Sequence, residues 1–217
     1  MMDEAYFFLA FGSGELGQMK QSREYFEALA KRFPDSTYVG EANYQLGESA
    51  YRDLQYRKAL GYFQLAVNQS PPELLPRILH KLAWTHYRLK NDGEAIQTMK
   101  RAIDASSKSG EKYLSLREEA LRDMAVFMTE TGQVDQALAY FKEVAADKTY
   151  YPRVLEKLGK QYERNAEPQK AAHVYESLLK TNADSDAAFR VRVKLVDLDL
   201  RRGRWSEALG RIRGVSI

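Results

Sequence analysis

The sequence predicts an all-α protein built from about six consecutive helical hairpins. Two observations indicate this fold class. A pattern of small and large apolar residues recurs along the 217-residue chain, and residues that favour turns separate the apolar segments. Composition and net charge also limit the classes of function that the chain can have. The chain has no cysteine, which excludes disulfides and cysteine-based metal sites, and its net charge of +3 does not by itself point to nucleic acid.

The recurring pattern is a large–small pair on a first helix, followed on a second helix by an alanine, a large residue and another apolar residue. Four copies share one internal spacing: Leu46, Gly47, Ala59, Phe63 and Ala66; Leu82, Ala83, Ala95, Met99 and Ala102; Met124, Ala125, Ala137, Phe141 and Val144; Leu158, Gly159, Ala171, Tyr175 and Leu178. A degraded first copy has Leu9, Ala10, Ser22, Phe26 and Leu29, and a truncated last copy has Leu195, Val196, Ala208 and Ile212. Successive alanine-equivalent positions are 34 to 42 residues apart.

This spacing has a physical reason in helix packing. The small residue of the first helix lets the second helix approach closely, the alanine does the same from the other side, and the large residues fill the remaining volume. Turns are expected at 91–93, 131–133, 165–168 and 202–204, and Gly12-Ser13-Gly14 is expected to form the turn of the first hairpin. Proline at positions 34, 71, 72 and 152 marks boundaries between repeats. A single hairpin cannot bury its own apolar face, so neighbouring hairpins must stack.

We predict one array over residues 1–217, with repeats at about 3–36, 40–73, 76–109, 118–151, 152–185 and 189–217. The longest step between repeats contains the additional residues 106–110, which predict either a longer helix or an extra loop. Residues 214–217 follow soon after a helix has begun, and we therefore expect the chain to be a fragment of a longer protein.

Residues 44–51 (YQLGESAY) and 59–66 (ALGYFQLA) resemble tetratricopeptide repeats, and the resemblance extends over nearly the whole chain. It implies a right-handed superhelical solenoid in which the first helices line a concave groove that binds a peptide or a protein. Residues 25–36, followed by 42–48, are similar to bacterial envelope proteins of this family, such as the β-barrel assembly lipoprotein, the Tol–Pal coordinator and gliding-motility scaffolds. That similarity implies a periplasmic or outer-membrane-associated protein, attached through a partner or an N-terminal anchor outside this sequence. A cytoplasmic location is the alternative.

The titratable residues do not predict an enzyme. His80 and His86 are six residues apart on one helix and therefore point to different faces, unlike the i, i+4 pair of a metal-binding helix. His173 lies in a later repeat. Gly12 and Gly14 lack the lysine and serine that a phosphate-binding loop requires. The sequence therefore predicts a non-catalytic protein that takes no small-molecule substrate, cofactor or metal.

The predicted partner site lies on the first helices of the second and third hairpins, at the positions that point into the groove. Aromatic residues beside arginine are the residue types that dominate interface energetics. Phe7 and Phe11 extend this aromatic half of the groove toward the N-terminus. An alternative is that Tyr51 and Tyr87 simply pack against the next repeat. The predicted site residues are Tyr44, Tyr51, Arg52, His80, Trp84, Tyr87 and Arg88, with Trp84 as the anchor.

A second functional hypothesis is an RNA-binding or otherwise anion-binding protein that uses its basic C-terminal segment. Residues 190–213 contain eight Lys or Arg against three acidic residues, Asp197, Asp199 and Glu207. Such a face could contact phosphates. However, the groove aromatics lie in the other half of the chain, whereas stacking platforms interleave with basic residues. The pattern therefore favours the protein scaffold over nucleic-acid binding.

Overall fold

The structure is a computed structural model that describes residues 1–108, 111–145, 149–183 and 185–213. These residues form twelve α-helices in six consecutive pairs and no strand, which confirms the predicted fold class. The helices are α1 (Met2–Glu15), α2 (Met19–Arg32), α3 (Val39–Arg52), α4 (Tyr56–Gln69), α5 (Leu75–Arg88), α6 (Asp92–Lys108), α7 (Leu114–Glu130), α8 (Val134–Ala145), α9 (Tyr151–Arg164), α10 (Pro168–Thr181), α11 (Asp186–Arg201) and α12 (Trp205–Arg213). Over the described ranges, no helix has the length and apolar character needed to cross a membrane.

The chain divides into two compact units, Met1–Ala120 and Leu121–Ile217, and α7 spans the boundary. In the first unit α1 packs on α2, α3 on α4, and α5 on α6, while α2 contacts α3 and α4 contacts α5. In the second unit α9 packs on α10 and α11 on α12, while α10 contacts α11. Consecutive hairpins therefore stack within each unit. The single array over 1–217 and its repeat boundaries stay a prediction, and residues 109–110 and 214–217 lie outside the described residues.

Close packing of small residues against aromatic rings forms the core, as the repeat pattern predicts. A Cβ atom added to Gly47 would lie 2.6 Å from Cε1 of Phe63, and one added to Gly159 would overlap the ring of Tyr175. The alanine-equivalent positions of the second helices are buried in every copy. They are Ser22, Ala59, Ala95, Ala137, Ala171 and Ala208.

Two residues expected in the core are instead exposed. Leu9 is 51% exposed and Ile212 is 50% exposed, although their equivalents in the inner repeats are buried. Leu9 lies on the side of its first helix that corresponds to Leu46, which packs with Phe26 and Leu29 of the preceding hairpin. Ile212 occupies the position at which Phe63 is buried against α3 and α5 in the second hairpin.

Each hairpin turn contains one residue with a left-handed backbone. These residues have φ between 58° and 75°, and they are Gly17, Leu54, Lys90, Gly132, Ala166 and Gly203. The expected turns at 131–133, 165–168 and 202–204 are confirmed. The turn expected at 91–93 begins earlier, because α6 already starts at Asp92.

The expectation of a turn at Gly12-Ser13-Gly14 is wrong, because α1 continues to Glu15 and the chain turns at Gly17. Gly14 instead lies within α1 beside α2, where an added Cβ atom would make an ordinary van der Waals contact of 3.4 Å with Oγ of Ser22. The additional residues after the third repeat lengthen a helix, because α6 has 17 residues and extends to Lys108.

Candidate partner-binding surface

The seven predicted site residues lie on two helices of the first unit that contact one another. Tyr44, Tyr51 and Arg52 belong to α3, and His80, Trp84, Tyr87 and Arg88 belong to α5. Both are first helices of their hairpins. A first helix packs against its own second helix and against neighbouring hairpins, so only a narrow stripe of its surface remains accessible.

Two of the seven residues are buried, which corrects the expectation that they are exposed. Tyr44 is 5% exposed and His80 is 6% exposed. The ring of Tyr44 lies 5.9 Å from that of Phe63, and the guanidinium of Arg77 covers it at 4.3 Å from the ring centroid. Burial raises the pKa of the Tyr44 hydroxyl well above its usual range. The Tyr44 position therefore belongs to the packing between the second and third hairpins.

The other three aromatic residues are half-buried, and together with the exposed Arg88 they form a group that we call the aromatic–arginine cluster: Tyr51, Trp84, Tyr87 and Arg88. The rings of Trp84 and Tyr87 meet edge to face at 5.5 Å, and Arg88 lies 5.9 Å from the centroid of Trp84. Nε of Arg88 donates a hydrogen bond of 3.3 Å to the hydroxyl of Tyr51. That bond raises the pKa of the Arg88 guanidinium. Tyr51 thus packs against the next hairpin, as the alternative interpretation had it, while part of the Trp84 ring stays accessible.

The remaining basic side chains near the cluster are largely neutralised by α3. Arg77 pairs with Glu41 at 2.7 Å, and Lys81 pairs with Glu48 at 3.1 Å. Arg52 differs, because it is exposed and forms neither an ion pair nor a side-chain hydrogen bond within the described ranges. It is therefore a cation of this surface that is accessible to an acidic partner.

A cavity of about 200 Å³ lies beside Arg52, between α1, α2 and α3. Its apolar walls include Phe11, Met19 and Phe26, and its polar residues include Gln45, Ser49 and Arg52. Sequence reasoning identified Phe11 and Arg52 as groove residues but missed Gln45 and Ser49. The signal was present, since positions 45, 49 and 52 follow the i, i+4, i+7 spacing of one helix face.

In the second unit, carboxylates pair with half of the basic residues of segment 190–213. Arg190 binds Glu156 at 2.7 Å, Lys194 binds Glu163 at 2.9 Å, Arg201 binds Asp197 at 2.8 Å, and Arg211 binds both Asp199 at 2.7 Å and Glu176 at 2.6 Å. Glu156 is only 5% exposed. Burial alone would raise its pKa, but hydrogen bonds from Arg190 and Lys160 hold the pKa below its usual value.

His80 and His86 are both buried on α5, whereas His173 lies on α10. His86 is buried in the first unit, and burial lowers its pKa. His173 is exposed in the second unit, with Nε2 at 2.8 Å from Oδ1 of Asp135.

Comparisons with known proteins identify a repeat family. Two models described as tetratricopeptide repeat match residues 4–36 and 44–110. A search of the curated proteins finds no match.

Solved structures show the same fold at low sequence identity. YrrB, described as a TPR protein with an unusual peptide-binding site, is 16% identical with a TM-score of 0.57, over 86% of this chain and 90% of YrrB. A tetratricopeptide repeat protein from Parabacteroides merdae is 15% identical with a TM-score of 0.60, over 98% of this chain and 78% of that protein. PilF of Pseudomonas aeruginosa is 16% identical with a TM-score of 0.54, over 99% of this chain and 93% of PilF.

Proposed function

Because this chain belongs to the tetratricopeptide-repeat family, we propose that it is a non-catalytic scaffold that binds a peptide segment of a partner protein at the aromatic–arginine cluster. Proteins of this fold are typically interaction scaffolds rather than enzymes. The observation that carries the proposal is the accessible Trp84 ring held between Tyr87 and Arg88. Tryptophan and arginine are the residues most often found at the energetic centre of protein interfaces.

The charges and the cavity beside the cluster suggest the chemistry of the bound segment. Arg52 follows Tyr51 on α3, carries no ion pair within the described ranges, and lines the cavity that contains Phe11 and Phe26. A partner segment with an acidic side chain next to an apolar one would satisfy both features. The carboxylate would pair with Arg52, and the apolar side chain would enter the cavity.

A peptide ligand is also consistent with the fold comparison. YrrB, which has the same fold, is described as having an unusual peptide-binding site. We propose the same class of ligand for this chain, bound by its own residues.

We further propose that the partner belongs to a bacterial cell-envelope complex, either periplasmic or associated with the outer membrane. This proposal rests on the resemblance carried by residues 25–36 and 42–48. Fractionation of the source cells, followed by detection with an antibody against this chain, tests it. Recovery of the natural protein in the cytoplasmic fraction alone would refute it.

The binding proposal is tested with Trp84→Ala as bait in a pulldown from the envelope fraction, followed by affinity measurement on the captured partner. Removal of the indole should weaken binding by about 2 kcal/mol, which is roughly a 30-fold rise in Kd. Leu65→Ala is the matched control, because Leu65 is an exposed apolar residue of α4 outside the cluster. It should leave Kd unchanged.

Circular dichroism of both variants separates binding from folding. Loss of helicity in Trp84→Ala would place this tryptophan in the core and contradict the proposal. Equal capture of the partner by folded Trp84→Ala and by the wild type would place the interface elsewhere.

A further inference from the structure

Another cavity, of about 510 Å³, lies in the first unit between α4, α5 and α6, and no residue of the aromatic–arginine cluster lines it. His86 of this cavity follows Trp84 by two positions on α5, and a rotation of about 100° per residue places it about 200° around the helix. The cavity therefore lies on the side of α5 opposite to the cluster. We call it the rear cleft, and its polar residues are Gln64, Asn68, His86, Glu94, Thr98 and Arg101.

The rear cleft has a buried base and an exposed rim. The buried residues of its base are Leu82, His86 and Thr98. On the rim, Gln64 and Asn68 are exposed and lie four residues apart on α4, so they share one face of that helix. Glu94 and Arg101 are exposed and lie seven residues apart on one face of α6. One wall therefore carries two carboxamides, and the other carries a carboxylate and a guanidinium.

The polar side chains of the rear cleft have no partners within the protein. None of the six forms a side-chain hydrogen bond or an ion pair with another described residue. Nδ1 of His86 is moreover buried without a hydrogen-bond partner in the described part of the chain. Buried polar atoms of native proteins are nearly always hydrogen-bonded, and convergent polar groups in a cavity of this size are typical of a ligand site. The partners of these groups are therefore expected to come from a bound molecule.

The two walls together match an extended peptide that carries opposite charges. Seven residues of α-helix rise by about 10.5 Å, and about three residues of extended chain span the same distance. A basic side chain could thus pair with Glu94 while an acidic side chain pairs with Arg101. Between them, the carboxamides of Gln64 and Asn68 can donate to backbone C=O groups and accept from backbone N–H groups.

The base of the rear cleft adds a neutral hydrogen-bonding group. Burial lowers the pKa of the His86 imidazole, although the nearby carboxylate of Glu94 opposes this effect. The ring is therefore uncharged at pH 7, with one nitrogen that donates a hydrogen bond and one that accepts. It can contact a peptide backbone without adding a second cation to the site.

We propose that the rear cleft is a second peptide-binding site, which holds an extended segment whose basic and acidic side chains lie about three residues apart. The inference does not depend on the aromatic–arginine cluster being a binding site. Because the two surfaces lie on opposite sides of α5, one chain could hold two different segments at once. The protein would then join two partners.

Proton NMR of the histidine rings tests the proposal, because the chain has three histidines and His86 alone among them lines the rear cleft. The probes are acetylated and amidated peptides in which two alanines separate lysine from aspartate, in both sequence orders. At least one of them should shift the Hε1 signal of His86 saturably at millimolar concentration, while the signals of His80 and His173 stay in place. Peptides with two lysines or two aspartates should bind about fivefold more weakly.

Variants of the rim identify the charges that select the peptide. Glu94→Gln and Arg101→Gln each remove one charge from an exposed side chain, so each should raise Kd about fivefold and leave the helices intact. Arg57→Gln is the matched control, because Arg57 is exposed on α4 and does not line the rear cleft. It should leave Kd unchanged. Glu94→Lys should reverse the preference, so that the peptide with two aspartates binds better than the mixed one.

The proposal is overturned if neither mixed peptide shifts the His86 signal at millimolar concentration. It is also overturned if peptides with two like charges shift that signal as strongly, or if all three histidine signals move together, because binding would then be nonspecific. Equal Kd values for Glu94→Gln, Arg101→Gln and Arg57→Gln would show that the rim charges take no part in binding. Circular dichroism confirms that each variant retains its helices before its Kd is interpreted.

Discussion

Glycines inside the helices of this protein differ in what a Cβ atom at each position would contact. Gly47 and Gly61 lie in the two helices of one hairpin. A Cβ atom on Gly47 would lie 2.6 Å from Cε1 of Phe63, whereas one on Gly61 would meet nothing within 4 Å. Replacing glycine with alanine should therefore change the free energy of unfolding in opposite directions at the two positions.

We expect Gly47→Ala to lower the free energy of unfolding by about 1–3 kcal/mol, because the methyl group overpacks the contact with Phe63. Gly61→Ala should raise it by about 0.5–1 kcal/mol, because alanine loses less conformational entropy than glycine in a helix. Urea denaturation followed by circular dichroism measures both. Stabilisation by Gly47→Ala would show that the two helices can separate at no cost, contrary to the packing described above.

Residue size in the core could be predicted from the sequence, but side-chain exposure at the candidate site could be predicted only in part. Gly47 and Ala59 recur at one spacing because close helix approach requires small residues there. Tyr44 and His80 were expected on the surface because they avoid those positions. Whether such a side chain is buried depends on the next hairpin, as the cover of Arg77 over Tyr44 shows. The pattern within a single repeat does not contain that information.

At the scale of the elements, the six hairpin turns share one backbone geometry but not one residue type. Three of the left-handed positions are glycine, and the others are Leu54, Lys90 and Ala166. A residue with a Cβ atom is strained in this conformation by about 1–2 kcal/mol. The turns at Gly132, Ala166 and Gly203 could be predicted, because glycine or proline lies in or next to each of them, whereas the turn at Gly17 was expected at Gly12-Ser13-Gly14. The turn at Leu54 was missed, because leucine is not a turn signal.

We expect Ala166→Gly to stabilise the second unit by about 0.5–1 kcal/mol, because Ala166 has φ of 58° and glycine relieves that strain. The matched reverse change is Gly203→Ala, at φ of 70° with no atom within 4 Å of the added Cβ. Gly203→Ala should lower the free energy of unfolding of the second unit by a similar amount, through backbone strain alone. Urea midpoints that shift in the same direction for both variants would contradict this explanation.

For the molecule as a whole, the ion pairs determine which basic side chains remain available to bind an anion. The segment 190–213 has eight basic residues and three acidic ones, but Glu156, Glu163 and Glu176 from preceding helices also pair with it. Sequence composition could not reveal these three carboxylates, because they are 31 to 35 residues away along the chain. The observed pairing weakens the hypothesis of RNA or anion binding at this segment.

We therefore expect the wild type to elute from heparin below roughly 0.2 M salt, because carboxylates pair with four of the eight basic residues of this segment and weaken their contacts with phosphate or sulfate. The double variant Glu156→Gln, Glu163→Gln should elute at higher salt, since it releases Arg190 and Lys194 from their partners. Retention of the wild type above roughly 0.5 M salt would revive the anion-binding hypothesis.

The ion pairs between first helices also bear on how such a chain can change during evolution. Glu41 and Arg77 occupy the same position in consecutive repeats and bind one another at 2.7 Å. A tandem duplication of the hairpin α3–α4 would therefore place one copy of Glu41 beside another, and two carboxylates would repel where a carboxylate and a guanidinium now attract. The hairpins share a fold but are not interchangeable. Duplication of this hairpin without a compensating change of sign would therefore replace one attractive contact between neighbouring first helices with a repulsive one.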